Sequence, residues 1–226
     1  MFQGSSISDG DWDHFRSLFD RFSVVFACPQ HEAAFRSDLS RYLVLLLSAN
    51  EHTNLTSIRS FDVGLWKHLY DSLVLVACEP LGSVLDWGTG GGLPGIPLAL
   101  LRRSIGSTCS VSLLDSVKKK AALVSVFCRE LGLVDCSVFS ERGETIVARS
   151  KFESVVMRAV APPDRAIPWM VRSVKRYVFM TGPAQVADWR GSVHLAEKRG
   201  FGLVDIQEFV LPEGGGTRFL VRFHQK

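Results

Sequence analysis

A glycine-rich turn between a short apolar strand and an apolar helix carries the clearest chemical signal in this sequence. The segment Val84–Pro97 reads VLDWGTGGGLPGIP, with Gly88, Gly90 and Gly92 alternating after the strand. Because glycine lacks a Cβ atom, such a turn can adopt positive φ values and bring bare backbone close to a ligand. Where a parallel strand leads into a helix, this layout is typical of a site for an adenosine-containing cofactor.

Further polar groups follow the later strands, and the carboxyl ends of parallel strands meet at one edge of a sheet. Asp115 ends the run SLLD. Its carboxylate can accept both ribose hydroxyls, or it can favour the start of the next helix through the helix dipole. Asp86 has two interpretations, contact with the amino-acid portion of the cofactor or bracing of the turn. The segment SERGE at 140–144 suits an adenine edge, and Arg158 follows the fourth strand.

Nicotinamide and flavin enzymes share a glycine-rich turn of this kind. Two features of this chain argue against those cofactors. The start of the helix at 95–97 lacks the usual spacing of the third glycine, and the chain contains no G-x-x-x-x-G-K-[ST] phosphate loop. The sequence therefore favours S-adenosylmethionine, an adenosine compound without phosphates.

The composition is that of a globular protein. The chain has 226 residues, of which 46% are hydrophobic and 22% charged, enough for one core with a small helical extension. No apolar run has the length of a membrane span, and residues 1–5 show no signal-peptide features, so we expect a cytoplasmic protein without a membrane partner. The five cysteines are scattered without a C-x-x-C pair, which predicts free thiols and no metal site.

The basic residues form clusters, although the formal net charge is only +3. Examples are Arg102–Arg103, Lys118–Lys120 and Lys198–Arg199. These clusters have two interpretations that the sequence leaves open. They are solvated helix faces, or several of them converge on one surface and form a footprint for nucleic-acid phosphates.

Apolar spacing divides the chain near residue 80. Before it, apolar residues recur at steps of three and four, which predicts helices that begin after Ser8 and cover about 30–49 and 62–77. After it, short apolar runs alternate with helical patterns, and the last two runs are joined by PEGGG, a hairpin signal. The predicted strands are 84–87, 110–114, 136–139, 154–157, 177–180, 203–209 and 218–223, and the helices between them are 95–103, 117–131, 142–149, 164–175 and 188–199.

This order of elements predicts an α/β fold. Repeated strand–helix alternation implies a parallel sheet with helices on both faces. A mostly parallel, seven-stranded sheet that ends in an antiparallel hairpin is similar to the Rossmann-like fold of class I S-adenosylmethionine-dependent methyltransferases. We therefore expect an N-terminal helical cap at 1–80 and a methyltransferase domain at 81–226.

Several motifs together resemble one family. The segment LDWGTGGGLPGIPL at 85–98 resembles the bacterial 16S rRNA guanine-N7 methyltransferases, also called glucose-inhibited division protein B. The combination of GLPGIP with a later RAVA is highly specific, and the resemblance covers roughly residues 45 to 165. Further matches, in the family's order, are NLT at 54–56, HLYDSL at 68–73, LLDS at 113–116 and RAVAP at 158–162.

The resemblance implies methylation of guanine N7 in the helix 18 loop of 16S rRNA, with S-adenosylmethionine as cofactor and 16S rRNA or a precursor of the small ribosomal subunit as partner. By position, Arg142 matches a catalytic or RNA-guiding arginine, and Asn54 and His68 lie in a cap beside the pocket. We expect a monomer, with Arg142 and Arg158 as the catalytic candidates. From the turn and the resemblance together, the expected cofactor contacts are Asp86, Gly88, Gly90, Leu93, Asp115, Gly143, Glu144 and Arg158.

Methylation of guanine N7 makes modest demands on an enzyme. N7 carries an exposed lone pair at neutral pH, and the sulfonium donor is already activated, so positioning rather than a general base is needed. A positively charged side chain fits guanine O6, a phosphate or the cofactor carboxylate, and we assign Arg142 and Arg158 to these groups. His68 has the alternative role of a satisfied polar residue at the edge of the core.

The chain departs from the family pattern at the end of the fifth strand. The family usually has a lysine followed by glycine there, whereas this chain has Thr181 and Gly182. Two alternatives therefore stay open. One is methylation of another acceptor, such as tRNA, a protein or a small molecule, since a fold does not fix a substrate. The other is a degenerate cofactor-binding or RNA-binding module without activity.

Overall fold

The computed structural model describes residues 4–226, and the chain begins there with helices. Helix α1 spans Asp9–Arg21, and its N-cap Ser8 accepts a hydrogen bond from the backbone N–H of Asp11, as the sequence predicts. The aromatic side chains of α1 are buried, so their three- and four-residue spacing marks the face that packs on the core. Helix α2 spans Pro29–Asn50. Among residues 4–226, no helix has both the length and the apolar character needed to cross a membrane.

The third helical segment follows the predicted range but is not a regular α-helix. A π-helical turn interrupts it, and such turns are frequent at functional sites. Here the backbone N–H of Asp71 donates to the carbonyl oxygen of Trp66, five residues earlier, so the usual partner four residues earlier is bypassed. The segment consists of α3 (Phe61–Gly64), the π turn (Leu65–Tyr70), α4 (Asp71–Leu73) and a 3-10 helix (Val74–Cys78).

Within residues 4–226, seven strands form one sheet in the order β3-β2-β1-β4-β5-β7-β6. The first five strands are parallel to one another, and β7 runs antiparallel to both β5 and β6. The predicted fold class is therefore confirmed. The strands are β1 (Val84–Trp87), β2 (Val111–Leu114), β3 (Ser137–Phe139), β4 (Ser154–Arg158), β5 (Arg176–Thr181), β6 (Phe201–Leu211) and β7 (Gly216–Gln225).

Two of the predicted helices are wrong in extent. The helix predicted at 164–175 is only a short helix followed by a 3-10 turn, because Pro168 has no N–H to continue the ladder and the chain becomes extended at Met170. The helix predicted at 188–199 is two helices that meet at Ser192. The helices of this half are α5 (Gly95–Ser104), α6 (Lys118–Glu130), α7 (Gly143–Arg149), α8 (Pro163–Ala166), α9 (Pro183–Gly191) and α10 (Val193–Lys198).

The cap and the sheet share a hydrophobic core. Side chains alternate between the two faces of a strand, so Val84 packs with the cap and α5, whereas Leu85 and Trp87 face the opposite side. Tyr42 of α2 is fully buried in the first of these clusters, and its hydroxyl donates to the carbonyl oxygen of Gly91 at 2.9 Å. The cap therefore reaches the glycine-rich turn directly.

Replacing Tyr42 tests this contact. We expect Tyr42→Phe to lower the free energy of unfolding by about 1 kcal/mol, because the buried Gly91 carbonyl loses its donor. Equilibrium unfolding in urea measures the change. Tyr70→Phe is the matched control, since the half-buried Tyr70 hydroxyl has no hydrogen-bond partner within residues 4–226. Equal effects of the two substitutions would contradict the assignment.

Candidate active site

The turn between β1 and α5 is held by a buried acid. Gly88, Gly90 and Gly92 all have positive φ angles, of 80°, 59° and 102°. Beneath them, Oδ2 of Asp86 accepts hydrogen bonds from the backbone N–H of Gly95 at 2.8 Å and from the Thr89 hydroxyl at 2.6 Å. Asp86 therefore braces the turn, which is one of the two roles that the sequence allows for it.

The second oxygen of Asp86 has a different environment. Oδ1 is buried and has no hydrogen-bond partner within the described part of the chain. Burial raises the pKa of Asp86 to about 6, and the hydrogen bonds from Thr89 and Gly95 oppose this rise. An unpaired buried oxygen is costly in a native protein and needs a reason, such as a ligand or a water molecule that reaches it.

Asp115 connects the ends of two strands. Its Oδ2 accepts from the backbone N–H of Gly90 at 3.0 Å, and its Oδ1 accepts from the backbone N–H of Val117 at 2.8 Å, just before α6. The side chain also lines a cavity at the carboxyl edge of the sheet. Asp115 therefore braces the turn and the helix start, and it also faces the cavity.

The cavity has a volume of about 270 Å³ and lies where β1 to β4 end. Three of the predicted cofactor residues do not line it: Asp86 and Leu93 are buried beneath the turn, and Gly90 lies within the turn. Of the predicted residues, the cavity brings together Gly88, Asp115, Arg142, Gly143, Glu144 and Arg158.

Two stacked tryptophans form a cavity wall that the sequence reasoning missed. The rings of Trp87 and Trp169 lie 5.3 Å apart at 15° to each other. A Cβ atom at Gly143 would lie 1.8 Å from Cε2 of Trp87, so only glycine fits against this ring. Trp87 stands inside the glycine-rich motif and could have been noticed there. Trp169 lies in the segment wrongly predicted as helix, and no local signal marks it.

A carboxylate with no exposed surface lies beside the cavity. Oδ2 of Asp71, in α4, accepts a hydrogen bond from Nη1 of Arg158 at 3.0 Å. Arg218 of β7 donates to both oxygens of Asp71: its Nε donates to Oδ1, and its Nη2 donates to Oδ2 at 2.9 Å. Arg158 also donates to the carbonyl oxygen of Lys67 at 3.3 Å. Asp71 stands in the matched motif HLYDSL and could have been singled out, whereas nothing local marks Arg218, 147 residues later.

His68 is a buried structural histidine in this arrangement. Its Nδ1 lies 3.1 Å from the Lys67 carbonyl oxygen, which can only accept, so the neutral ring carries its proton on Nδ1. Nε2 then accepts from the Thr56 hydroxyl at 2.8 Å. Burial and the positive charge of Arg158 lower the pKa of His68 to about 3. The histidine fastens the loop after α2 to the π turn, and it lies outside the described cavity lining.

Exposed cations without ion pairs stand at the starts of α6 and α7, and one of them, Arg142, lines the cavity. Arg142 is exposed immediately before α7, and Lys118 and Lys119 are exposed at the start of α6; in the part of the chain that the structure describes, none of them has a carboxylate within 4.0 Å. Thr181 at the end of β5 is buried, and its hydroxyl donates to Oε1 of Gln185 at 2.8 Å.

A family match covers the five parallel strands and every residue that lines the cavity. Residues 36–209 match the family described as rRNA small subunit methyltransferase G. The chain belongs to this family. The resemblance seen in the sequence is therefore confirmed. A relative from Anaeromyxobacter dehalogenans named ribosomal RNA small subunit methyltransferase G is 36% identical over 204 residues, covering 88% of this chain and 92% of the relative.

A second relative carries the same name, and a solved structure shares the fold. A member from Solibacter usitatus is 32% identical over 197 residues, or 84% of this chain and 91% of that protein. At the level of the fold, the structure is similar to an O-methyltransferase from Bacillus cereus solved with S-adenosylhomocysteine, with a TM-score of 0.55 at 15% identity. That match covers 82% of this chain and 91% of the other.

The opposite pKa shifts of His68 and Asp86 predict opposing pH dependences of stability. As the pH falls from about 6.5 towards 3, the unfolded chain protonates at His68 and the folded chain does not, so stability decreases. As the pH falls from about 6 towards 4, the folded chain protonates Asp86 before the unfolded chain does, so stability increases.

We expect Asp86→Asn to remove the second contribution and to expose the first. The loss of stability from pH 6 to pH 4 should then steepen by up to about 1.4 kcal/mol per pH unit. Urea unfolding at pH 4, 5, 6 and 7 measures this, with Asp188→Asn, at an exposed position of α9, as control. An Asp86→Asn profile parallel to that of the unmodified protein would show that Asp86 does not titrate in this range.

Proposed function

We propose that this protein transfers the methyl group of S-adenosylmethionine to N7 of a guanine in the helix 18 loop of 16S rRNA. One observation carries the proposal: the segment matched by the family, 36–209, contains every residue that lines the cavity as well as the cap residues that hold Arg158. The relatives are named for modification of small-subunit ribosomal RNA.

The cavity residues suit the proposed cofactor. The Asp115 carboxylate can accept the ribose hydroxyls, and the stacked Trp87 and Trp169 give the cavity a flat, apolar wall beside which an adenine can lie. Arg158 is a cation for the cofactor carboxylate. When bound, the cofactor supplies an activated methyl group, so the protein's task is to hold and orient.

The side chains around the cavity fit an acceptor that needs no general base. His68 is already engaged by Thr56 and the Lys67 carbonyl, and its pKa of about 3 leaves it neutral at pH 7. The charged groups that face the cavity are instead Arg142, Arg158 and the carboxylates around them. Guanine N7, with its available lone pair, matches such a site, and Arg142 can hold guanine O6 or a phosphate.

The proposed partner is 16S rRNA or a precursor of the small subunit. Arg142 is exposed and lines the cavity, and Lys118 and Lys119 are exposed at the start of α6, shortly after Asp115 and Ser116 of the cavity lining, so these cations are available to RNA phosphates. We further propose that the protein acts as a cytoplasmic monomer. Within residues 4–226, the large apolar side chains that are exposed are isolated valines, a pattern unlike that of a permanent interface: Val25, Val63, Val117, Val126, Val134, Val204 and Val210.

Methyl transfer to small ribosomal subunits tests the proposal. Subunits from a strain that lacks this gene should accept one methyl group, and mass spectrometry should place it as N7-methylguanine in helix 18. If 16S rRNA of the deletion strain already carries this mark, the proposed acceptor is wrong. Calorimetry with S-adenosylmethionine addresses the alternative of an inactive module: absence of binding would overturn the cofactor assignment as well.

Arg142 provides a sharper prediction within the site. We expect Arg142→Ala to lower the rate of methyl transfer by at least about tenfold, because one charge-assisted contact to the RNA is lost, while the affinity for S-adenosylhomocysteine stays the same. Arg142→Lys should recover part of the rate. Arg190→Ala, at an exposed position of α9, is the control. Unchanged methyl transfer with the cofactor still bound would refute the role of Arg142.

A further inference from the structure

The buried cluster beside the cavity contains more positive than negative charge. Asp71 is 0% exposed and contacts two guanidinium groups, those of Arg158 and Arg218. His68 is neutral and adds no charge. Asp71 alone therefore does not neutralise both guanidinium groups of this cluster. A buried excess charge is unfavourable unless a ligand or solvent compensates it.

The hydrogen bonds of Arg158 show where this excess is available. Both contacts that the guanidinium makes use a single nitrogen: Nη1 donates to Oδ2 of Asp71 and to the carbonyl oxygen of Lys67. Within residues 4–226, Nε and Nη2 donate to no acceptor, although the side chain is only 15% exposed and lines the cavity. The Nε–Nη2 edge is one of the two-pronged faces of guanidinium that match a carboxylate.

Arg218 explains why this edge is free. It donates to both oxygens of Asp71, through Nε and Nη2, and so takes up most of the capacity of that carboxylate. Asp71 consequently offers Arg158 only one oxygen. Without Arg218, a buried carboxylate would keep an unpaired oxygen, and the remaining arginine would be drawn into a two-pronged, neutral pair with it.

We propose that Arg218 is a positioning residue for the cofactor. By occupying Asp71, it keeps the Nε–Nη2 edge of Arg158, and its positive charge, in the cavity for the amino-acid carboxylate of S-adenosylmethionine. Arg218 acts through Asp71 and does not line the described cavity. The inference rests on the proposed function in one respect, the identity of the ligand.

The sheet places these groups together. Arg158 ends β4 and pairs in register with Met180 of β5, while Arg218 directly precedes Phe219 of β7, which pairs with Thr181 at the end of β5. The two arginines therefore flank one strand end, and Asp71 comes from the cap to lie between them. Cap and hairpin are both needed to orient a cofactor-binding arginine.

Two nucleosides that differ in the amino-acid group, which carries the carboxylate, test the proposal. S-adenosylhomocysteine carries the amino-acid group, and 5′-methylthioadenosine lacks it. We expect Arg218→Gln to lower the affinity for S-adenosylhomocysteine by at least about tenfold. The affinity for methylthioadenosine should fall by less than about twofold. Isothermal titration calorimetry measures both affinities. Arg218→Lys should lie between, because lysine keeps the charge but not the fork.

The matched control is Arg222→Gln on the same strand. Arg222 also binds a carboxylate, that of Asp205, and a backbone carbonyl, that of Ala77, but it lies outside the described cavity lining. The substitution Arg222→Gln should leave the affinities for S-adenosylhomocysteine and for methylthioadenosine unchanged. Equal weakening of both nucleosides by Arg218→Gln would indicate a collapsed pocket, and unchanged affinities would remove any positioning role; either result overturns the proposal.

A double variant separates positioning from folding. Asp71→Asn combined with Arg218→Gln removes the carboxylate that holds Arg158, so Arg158 can no longer form a two-pronged pair with Asp71 and keeps its charge in the cavity. We expect this variant to recover S-adenosylhomocysteine affinity to within about threefold of the unmodified protein, even if Arg218→Gln alone folds poorly. A folded double variant that binds as weakly as Arg218→Gln would overturn the proposal.

The outcome also separates this inference from the proposed function. If the unmodified protein binds S-adenosylhomocysteine but does not methylate 16S rRNA, the acceptor assignment fails, and the comparison of the two nucleosides still decides the role of Arg218. If the unmodified protein binds neither nucleoside, the cofactor assignment and the role of Arg218 are both refuted.

Discussion

The buried charge of Asp71 constrains the architecture of this protein more than any other single group. A carboxylate without solvent must be paired, and its partners Arg158 and Arg218 come from two strands far apart in the sequence. The cap that carries Asp71, the strand that carries Arg158 and the terminal hairpin must therefore assemble together. The constraint that stabilises this assembly also fixes an arginine at the edge of the cofactor cavity, so stability and function share one set of contacts.

A second buried acid organises the other side of the cavity. Asp86 holds the glycine-rich turn through two hydrogen bonds, and Asp115 joins that turn to the end of the neighbouring strand. Tyr42 of the cap holds the same turn from the opposite side. The backbone of the glycine-rich turn is thus fixed by groups from three elements. This preorganisation suits a reaction in which the donor is activated and the acceptor already nucleophilic, so that orientation is the main requirement.

Local signals explain both the successes and the failures of prediction from sequence. The strand preceding Gly88, the hairpin and the N-cap Ser8 rest on the residues themselves, and the structure confirms them. The prediction of a helix at 164–175 is wrong because it relied on the helical spacing of apolar residues and gave too little weight to Pro168. In the structure, Pro168 has no N–H to donate, and the helical hydrogen bonds end there. The π turn was also missed, because its backbone pattern differs from an α-helix by one residue while the side-chain spacing stays helical.

The sequence alone determined the α/β class, the glycine-rich turn and the family, because each depends on residues close together in the chain or on motifs in a fixed order. Only the tertiary structure decided which of the predicted residues face the cavity: Asp115 and Arg158 do, and Leu93 does not. It also placed Trp169 in the cavity lining and Arg218 against Asp71 beside the cavity. Contacts such as that between Asp71 and Arg218 span 147 residues and depend on how strands and cap pack, which no local pattern encodes.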